Sequence, residues 1–439
     1  MSRPRDKGLA VPASRLGRLS RLGFMTAGVA GNMAIGGMAQ LGRGERPDWR
    51  GLLLTSANVT RIADQLSKMR GAAMKIGQLV SMDAGDVLPP ELAAIMARLR
   101  EDADFMPPAQ LKKVLAGQWP EGWLREFSRF DVRPIAAASI GQVHRAQLRD
   151  GRDLAVKVQY PGVARSIDSD VANVGALIRM SGMLPKGFAF EPYLAEAALQ
   201  LHEETDYLRE AYYLNRFREL LADEQGFTLP QVHADWSTQS ILAMSFVAGK
   251  PIEESASESQ EQRNLIMQKL IELFLKEVFE FKLIQSDPNF ANYRYGPVTG
   301  DVVLLDFGAV REISSDISML YIKLLMAGAG GQRRELEELS LSIGFIGENT
   351  SRAHRDQVLD LMQMAFHGLR TTVCDFADTT LTQKMQRAGE ALARDGFVPP
   401  VIQMDALYVQ RKLAGLYLLG VKLKARLPVG QMLSDYLAG

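Results

Sequence analysis

Gln285-Ser286-Asp287-Pro288-Asn289-Phe290-Ala291-Asn292, followed by Val302-Val303-Leu304-Leu305-Asp306-Phe307-Gly308, is the stretch on which the reading of this 439-residue sequence turns. The first piece is a polar loop with an aspartate and, five positions on, an asparagine. The second is an apolar strand that delivers an aspartate at its end and a glycine for a sharp exit. Hard Mg²⁺ takes oxygen ligands, so an aspartate carboxylate at the end of a strand, Asp306, suits a divalent cation beside phosphates. Each piece alone has a plainer explanation, since Asp and Asn are common turn and cap residues. Their order and context, with Asp306 14 positions beyond Asn292 after an apolar strand, bind them into one signal.

Working outward, the chain before this stretch changes character twice. Leu52 to Met82 carries apolar residues at helical spacing, Pro89-Pro90 opens a helix over Glu91 to Arg100, and Pro107-Pro108 starts a third, short one. Near Phe127 the pattern becomes strand-like. Val143 to Leu148 and Asp153 to Tyr160 read as a hairpin around the tight turn Asp150-Gly151, closed by Pro161-Gly162. A charge-rich helical region runs from Glu191 to Asp223, then a strand from Ser240 to Val247, then a strong helix from Gln262 to Lys282. From Ile313 to the end the pattern is mainly helical. A small β-rich part followed by a larger helical part is α+β organisation.

Composition narrows the partners. The 51 basic residues balance the 51 acidic ones, so no overall charge argues for nucleic acid. The charge is uneven, however: Met1 to Gly44 holds seven Lys/Arg against the single acid Asp6, which suits an anionic membrane surface or a solvated tail. The uncharged run Leu22 to Leu41 is long enough to cross a bilayer, but its Gly, Ala, Asn32 and Gln40 make it weakly apolar. A membrane helix and a helix packed on the body of the protein both remain open. Cys374 is the only cysteine, which rules out intramolecular disulfides and points to a reducing compartment. Cys374 itself reads as a packing residue.

The motif order resembles the protein-kinase fold. Ala136-Ala137-Ala138-Ser139-Ile140-Gly141-Gln142-Val143 stands where kinases carry G-x-G-x-x-G-x-V, with Gly141 and Val143 matching and alanines at the first two glycine positions. Alanine's Cβ restricts the backbone that glycine would free, so this loop is expected to be stiffer. Leu154-Ala155-Val156-Lys157 resembles the phosphate-positioning lysine strand, with Glu210 as the candidate helix glutamate. Taken singly, Lys157 also reads as an exposed edge lysine. Asp287 and Asn292 fit D-x-x-x-x-N, and Asp306-Phe307-Gly308 fits D-F-G. No A-P-E motif follows Asp306, which argues against a long protein-substrate loop.

Further residues identify the branch. Lys75-Ile76-Gly77-Gln78 is similar to the K-x-G-Q motif of the UbiB/ADCK family of atypical kinase-like proteins of the coenzyme Q biosynthesis type. The alanine-rich Ala136 to Ser139 resembles that family's replacement for the glycine loop, and Glu204-Thr205-Asp206 its E-x-D motif. The resemblance runs from about Arg15 through Leu427. It implies a two-lobed kinase-like fold: a basic segment with a candidate membrane helix (1–50), a helical extension carrying K-x-G-Q (51–126), a β-rich N-lobe (127–248) and a helical C-lobe (249–439). It implies ATP and Mg²⁺ as cofactors. Asp287, Lys157 and Glu210 would be catalytic, and Asn292 and Asp306 would hold the metal. Ala136, Ala137, Ala138, Ser139, Gly141, Val143, Lys157, Met244, Phe246 and Val247 would contact nucleotide. Lys75, Gln78, Glu204 and Asp206 would regulate, Lys75 pairing with Glu204. An ATPase or a small-molecule or lipid kinase supporting ubiquinone biosynthesis follows from the resemblance. A nucleotide-binding pseudokinase scaffold is the alternative, and a protein kinase ranks last. Implied partners are a lipid or quinone-pathway small molecule, a membrane surface and quinone-biosynthesis enzymes, with a homodimer admitted and nucleic acid not. The implied location is the cytoplasmic or matrix side of the inner membrane.

Overall fold

The computed structural model describes residues 70–83, 105–180, 190–400 and 402–438. The basic head, the run Leu22 to Leu41, the helix expected over Glu91 to Arg100 and the Leu52 helix ahead of Arg70 lie outside the described residues. The chain forms two compact units, Met1–Arg209 with Val232–Phe246, and Glu210–Gln231 with Val247–Gly439. The fold is α+β, as the sequence implies.

In the first unit, an antiparallel sheet runs in the order Phe127–Phe130, Gly141–Leu148, Asp153–Gln159, Ile241–Ser245, and Ala136–Ala137 folds back on Gly141–Leu148. The hairpin turns where the sequence says: Gly151 has φ 97° and the Asp150 carboxylate accepts the Arg152 amide at 3.0 Å. Successive side chains on a strand point to opposite faces. Leu154, Val156 and Val158 therefore enter one core with Trp119, Trp123, Phe127 and Trp236, whose rings pack edge-on and stacked. Each such aliphatic chain contributes about 1.5–3 kcal/mol when fully buried. Ala155, Lys157 and Gln159 take the other face.

Two helices differ from the sequence reading. Val163–Met180 follows Pro161-Gly162 directly, and buries Ile167, Val171, Val174 and Ile178 at helical spacing. The region Glu191 to Asp223 is two helices, Glu191–Glu204 and Tyr207–Leu220, because the Asp206 carboxylate accepts the amides of Leu208 (3.1 Å) and Arg209 (3.0 Å) and starts a new helix.

In the second unit, a sheet in the order Phe227–Thr228, Val302–Leu304, Tyr293–Tyr295, Lys250–Pro251 lies beside a two-stranded ribbon, Leu283–Gln285 with Val310–Glu312. The helix Gln260–Lys276, capped by the Ser259 hydroxyl, runs into a π-turn at Glu277–Phe281. Helices Ser315–Gly330, Arg333–Ile343, Arg352–Ala365, Thr380–Arg394, Met404–Leu423 and Val429–Ala438 make up most of the rest. Cys374 is half-buried, and burial pushes its thiol up, as befits a packing residue. Among the described residues no helix is long and apolar enough to cross a membrane.

Candidate functional site: a lysine strand and a metal-type loop pair

Strand register decides what surrounds Lys157. It lies opposite Val143 on one side and Leu242 on the other, and Ala155 lies opposite Met244. Directly paired residues of an antiparallel sheet share a face. Val143, Ala155, Leu242 and Met244 thus form an apolar patch flanking the ammonium. Lys157 is 7% exposed on a central strand, with Nζ 5.2 Å from the Tyr207 ring centre, so the exposed edge-lysine alternative is excluded. Ala155 and Leu242 were missed in the sequence; projecting the period of two across the expected partner strands would have found them.

The alanine loop is the turn of a short hairpin. Ala136 pairs with Val143, Ala137 with Gln142, and the Ala138 amide donates to the Gly141 carbonyl at 2.9 Å. Gly141 is required by close approach: a Cβ there would stand 2.5 Å from the Val158 carbonyl oxygen and 2.8 Å from the Tyr207 hydroxyl. Ser139 donates to Glu204 Oε2 at 2.7 Å, and the other oxygen of Glu204 pairs with the buried Lys75 ammonium. One carboxylate therefore ties the helix Arg70–Asp83 to the loop. Gly71 of the same helix meets Ile140 and the Ser139 carbonyl. Gln78 lies three residues, just under one turn, beyond Lys75 on the same helix. Asp206 caps the next helix, as described. Phe246 donates its amide to Asp153 O at 2.8 Å, and the Arg145 guanidinium lies 4.0 Å over its ring. Val247 opens the adjoining stretch of the second unit.

In the second unit the register brings the two loops together. Leu304 pairs with Tyr293 and Gln285 with Val310, so the loop leaving Gln285 and the loop leaving Leu304 start and finish at the same end of the strands. Leu305 donates its amide to Asn292 O at 3.0 Å, and Ser286 donates amide and hydroxyl to Ala309 O at 3.1 and 2.8 Å. Asn292 Nδ2 donates to Asp287 O at 3.3 Å, and Asp306 Oδ1 accepts the Gly308 amide at 3.0 Å. A Cβ on Gly308 would lie 3.3 Å from Asp306 Oδ1 and 3.4 Å from Glu210 Oε2, so Glu210 stands beside the Asp306 turn.

Asn292 and Asp306 line a cavity of about 10 Å³ with Glu277, Gln285, Tyr293 and Lys412. With its amide nitrogen turned to Asp287 O, Asn292 presents its oxygen elsewhere. An Asp–Asn oxygen pair fits Mg²⁺, which keeps waters and phosphate oxygens and needs no all-protein cage. Among the described residues no three His, Cys, Asp or Glu side chains cluster as such a cage would require. After Gly308 the chain enters Val310–Glu312 and then the helix Ser315–Gly330, leaving no room for a long substrate loop.

Sequence reasoning gave no hint of Lys412 and Glu277. Both are almost fully buried, and Lys412 Nζ lies 2.9 Å from Glu277 Oε2. Burial pushes the Glu277 carboxyl up while Lys412 pulls it down; burial opposes the Lys412 ammonium too, yet Glu277 holds it above the ordinary lysine range. A lysine in an apolar helix carries no local signal of its partner.

The ABC1 atypical kinase-like domain model matches residues 98–340, which contain the Lys157 strand and the Asp287 and Asp306 loops. The chain belongs to that family. It is the family that the K-x-G-Q, alanine-loop and E-x-D motifs resemble. Among its relatives, "Atypical kinase COQ8, mitochondrial" of Saccharomyces cerevisiae is 37% identical over 436 residues, covering 98% of this chain and 86% of that protein. "Atypical kinase COQ8B, mitochondrial" of Rattus norvegicus is 37% identical over 442 residues, covering 98% and 82%. The structure of Rv3197 from Mycobacterium tuberculosis, solved with erythromycin, aligns with TM-score 0.61 at 24% identity over 88% of this chain and 97% of that one, a likeness of fold.

Proposed function

We propose that this family member is a Mg-ATP-using enzyme, an ATPase or a small-molecule or lipid kinase, that supports ubiquinone biosynthesis at the inner membrane. The observation that carries the reading is the meeting of the Asp287–Asn292 loop with the Asp306 turn at one end of the strands. In this reading Asn292 and Asp306 hold Mg²⁺, which supplies charge neutralisation to the phosphates. Lys157 positions phosphate, and Glu210 takes the helix-glutamate role that the resemblance assigns to it. Adenine lies on the apolar patch of Val143, Ala155 and Met244, with Phe246 and Val247 offering backbone. Asp287 orients or takes the proton of the attacking hydroxyl or water. The Lys75–Glu204–Ser139 link restrains the alanine loop, and Gln78 shares its helix. The short segment after Gly308 speaks against a protein substrate. The quinone link rests on the COQ8 names of the mitochondrial relatives, and the membrane location on the basic head, the uncharged run Leu22 to Leu41 and the family resemblance. A quinone-pathway lipid, a membrane surface and quinone-pathway enzymes are the partners this reading assigns, with a homodimer admitted.

Purified protein supplied with Mg-ATP tests the proposal. Phosphate release, falling at least about 100-fold in Asp306→Asn, is the expected result. Tight nucleotide binding without turnover would replace the enzyme with a scaffold, and labelled protein substrates would restore the kinase reading.

A further inference from the structure

Both backbone polar groups of Gln285, two residues ahead of Asp287, engage one buried ion pair. Its amide points to Glu277 Oε1 at 3.4 Å and its carbonyl accepts from Lys412 Nζ at 3.2 Å. On the far side of the loop, the Tyr293 ring centre lies 5.6 Å from the same ammonium, and the Tyr293 hydroxyl reaches Gln285 Oε1 at 3.5 Å. Lys412 is thus fastened to both ends of the segment that carries Asp287 and Asn292. Glu277 comes from the π-turn, a local irregularity that often marks functional positions in helices.

One turn after Lys412, Gly415 touches the loop itself. A Cβ there would collide with the Pro288 ring, with Pro288 Cα at 3.3 Å and its carbonyl oxygen at 3.4 Å. Proline is rigid and cannot swing aside as a long side chain would. The helix Met404–Leu423 therefore meets the loop twice, by charge at Lys412 and by backbone-close packing at Gly415. This helix lies beyond residue 340, where the match to the family domain ends.

We propose that the helix Met404–Leu423 is a brace for the catalytic loop, with Lys412 and Gly415 as positioning residues that set the place of Asp287. Neither residue touches the reacting atoms. Their work is to remove the freedom of a loop whose displacement by about 1 Å costs on the order of 100-fold in rate. The consequence for turnover rests on the Mg-ATP reading, whereas the restraint on the loop does not.

Two readouts separate these. Hydrogen exchange at the amides of residues 286–293 and steady-state ATP hydrolysis are measured for the full chain, Gly415→Ala and the double variant Glu277→Gln/Lys412→Met. The brace predicts exchange at these amides about tenfold faster in both variants, with amides of the helix Ser315–Gly330 unchanged. It predicts kcat down by about 10- to 100-fold with KM for ATP within about threefold, because the nucleotide grip on Lys157 is untouched. A general loss of fold would speed exchange everywhere and raise KM as well, and that pattern in both variants would overturn the proposal. So would loop exchange and turnover at the unsubstituted level in either folded variant. If the unsubstituted chain hydrolyses no ATP, the enzyme reading falls and loop exchange alone judges the brace.

Discussion

The alanine hairpin of the first unit and the Asp287 loop of the second are each held by a lysine–glutamate pair, and the two pairs sit in different surroundings. Lys75–Glu204 is partly open to water, with the glutamate side chain 14% exposed, and shares its carboxylate with the Ser139 hydroxyl. Lys412–Glu277 is sealed, at 2% and 1% exposure. Desolvation makes a sealed pair costly to bury intact and far costlier to break, since the surviving charge has no water to turn to. The comparison teaches that the nucleotide-type loop is restrained by a contact that can be released within the folded protein. The metal-type loop is restrained by one that cannot.

Removing the lysines one at a time gives the largest expected difference. Lys412→Met should cost the second unit about 3–5 kcal/mol by leaving Glu277 buried alone. Lys75→Met should cost the first unit about 1–3 kcal/mol, because water reaches Glu204 and Ser139 still donates to it. Urea unfolding followed by exchange within each unit measures both; equal losses would erase the distinction drawn here. A smaller effect is expected at Gly141, which fixes the alanine hairpin by contact instead of charge. Gly141→Ala should destabilise the first unit by about 1–3 kcal/mol, as overpacking against the Val158 carbonyl. Unchanged tryptophan-monitored unfolding would show the hairpin to be looser than described.

The smallest effect is in pH and belongs to the first unit alone. His144 Nε2 faces Gln142 Nε2 at 2.8 Å, and the Gln142 side-chain oxygen Oε1 already accepts the Met106 amide. The ring nitrogen must therefore accept, and Nδ1–H donates to Asp131 O at 2.8 Å. Burial lowers the pKa of His144 below its ordinary 6.5, against the smaller upward pull of the Asp131 carbonyl. In the unfolded chain the ring gains its proton first as pH falls, so the stability it confers is complete above about 6.5 and declines below that value. The His144 proton alone contributes at most about 1.4 kcal/mol per pH unit, and His233 of the same unit, its pKa also lowered by burial, adds in the same direction. Three of the four tryptophans, Trp119, Trp123 and Trp236, lie in this unit's core, so fluorescence-monitored midpoints between pH 7.5 and 5.5 provide the check. A flat profile would mean that His144 charges without loss.

Much of the site was legible because its parts are local. The Asp150-Gly151 turn, the strand that carries Lys157, and the oxygen-bearing side chains of Asn292 and Asp306 follow from residue type and short-range periodicity. The helix Val163–Met180 was overlooked although its apolar spacing was present, because its start after Pro161-Gly162 read as a strand ending and nothing more. Asp206 stands out in the sequence as part of E-x-D, but nothing local marks it as a helix break until its carboxylate is seen to accept the amides of Leu208 and Arg209.

The sequence by itself determined the family, the α+β class and the order of the chemical groups along the chain, since each is carried by residues within a few positions of one another. Tertiary structure alone decided that Glu204 serves Lys75 and Ser139 together, and that Lys412 reaches a carbonyl 127 positions before it. Pairings of that kind are set by strand register and by which helix faces touch. Those depend on the simultaneous burial of the whole core, so no short segment encodes them.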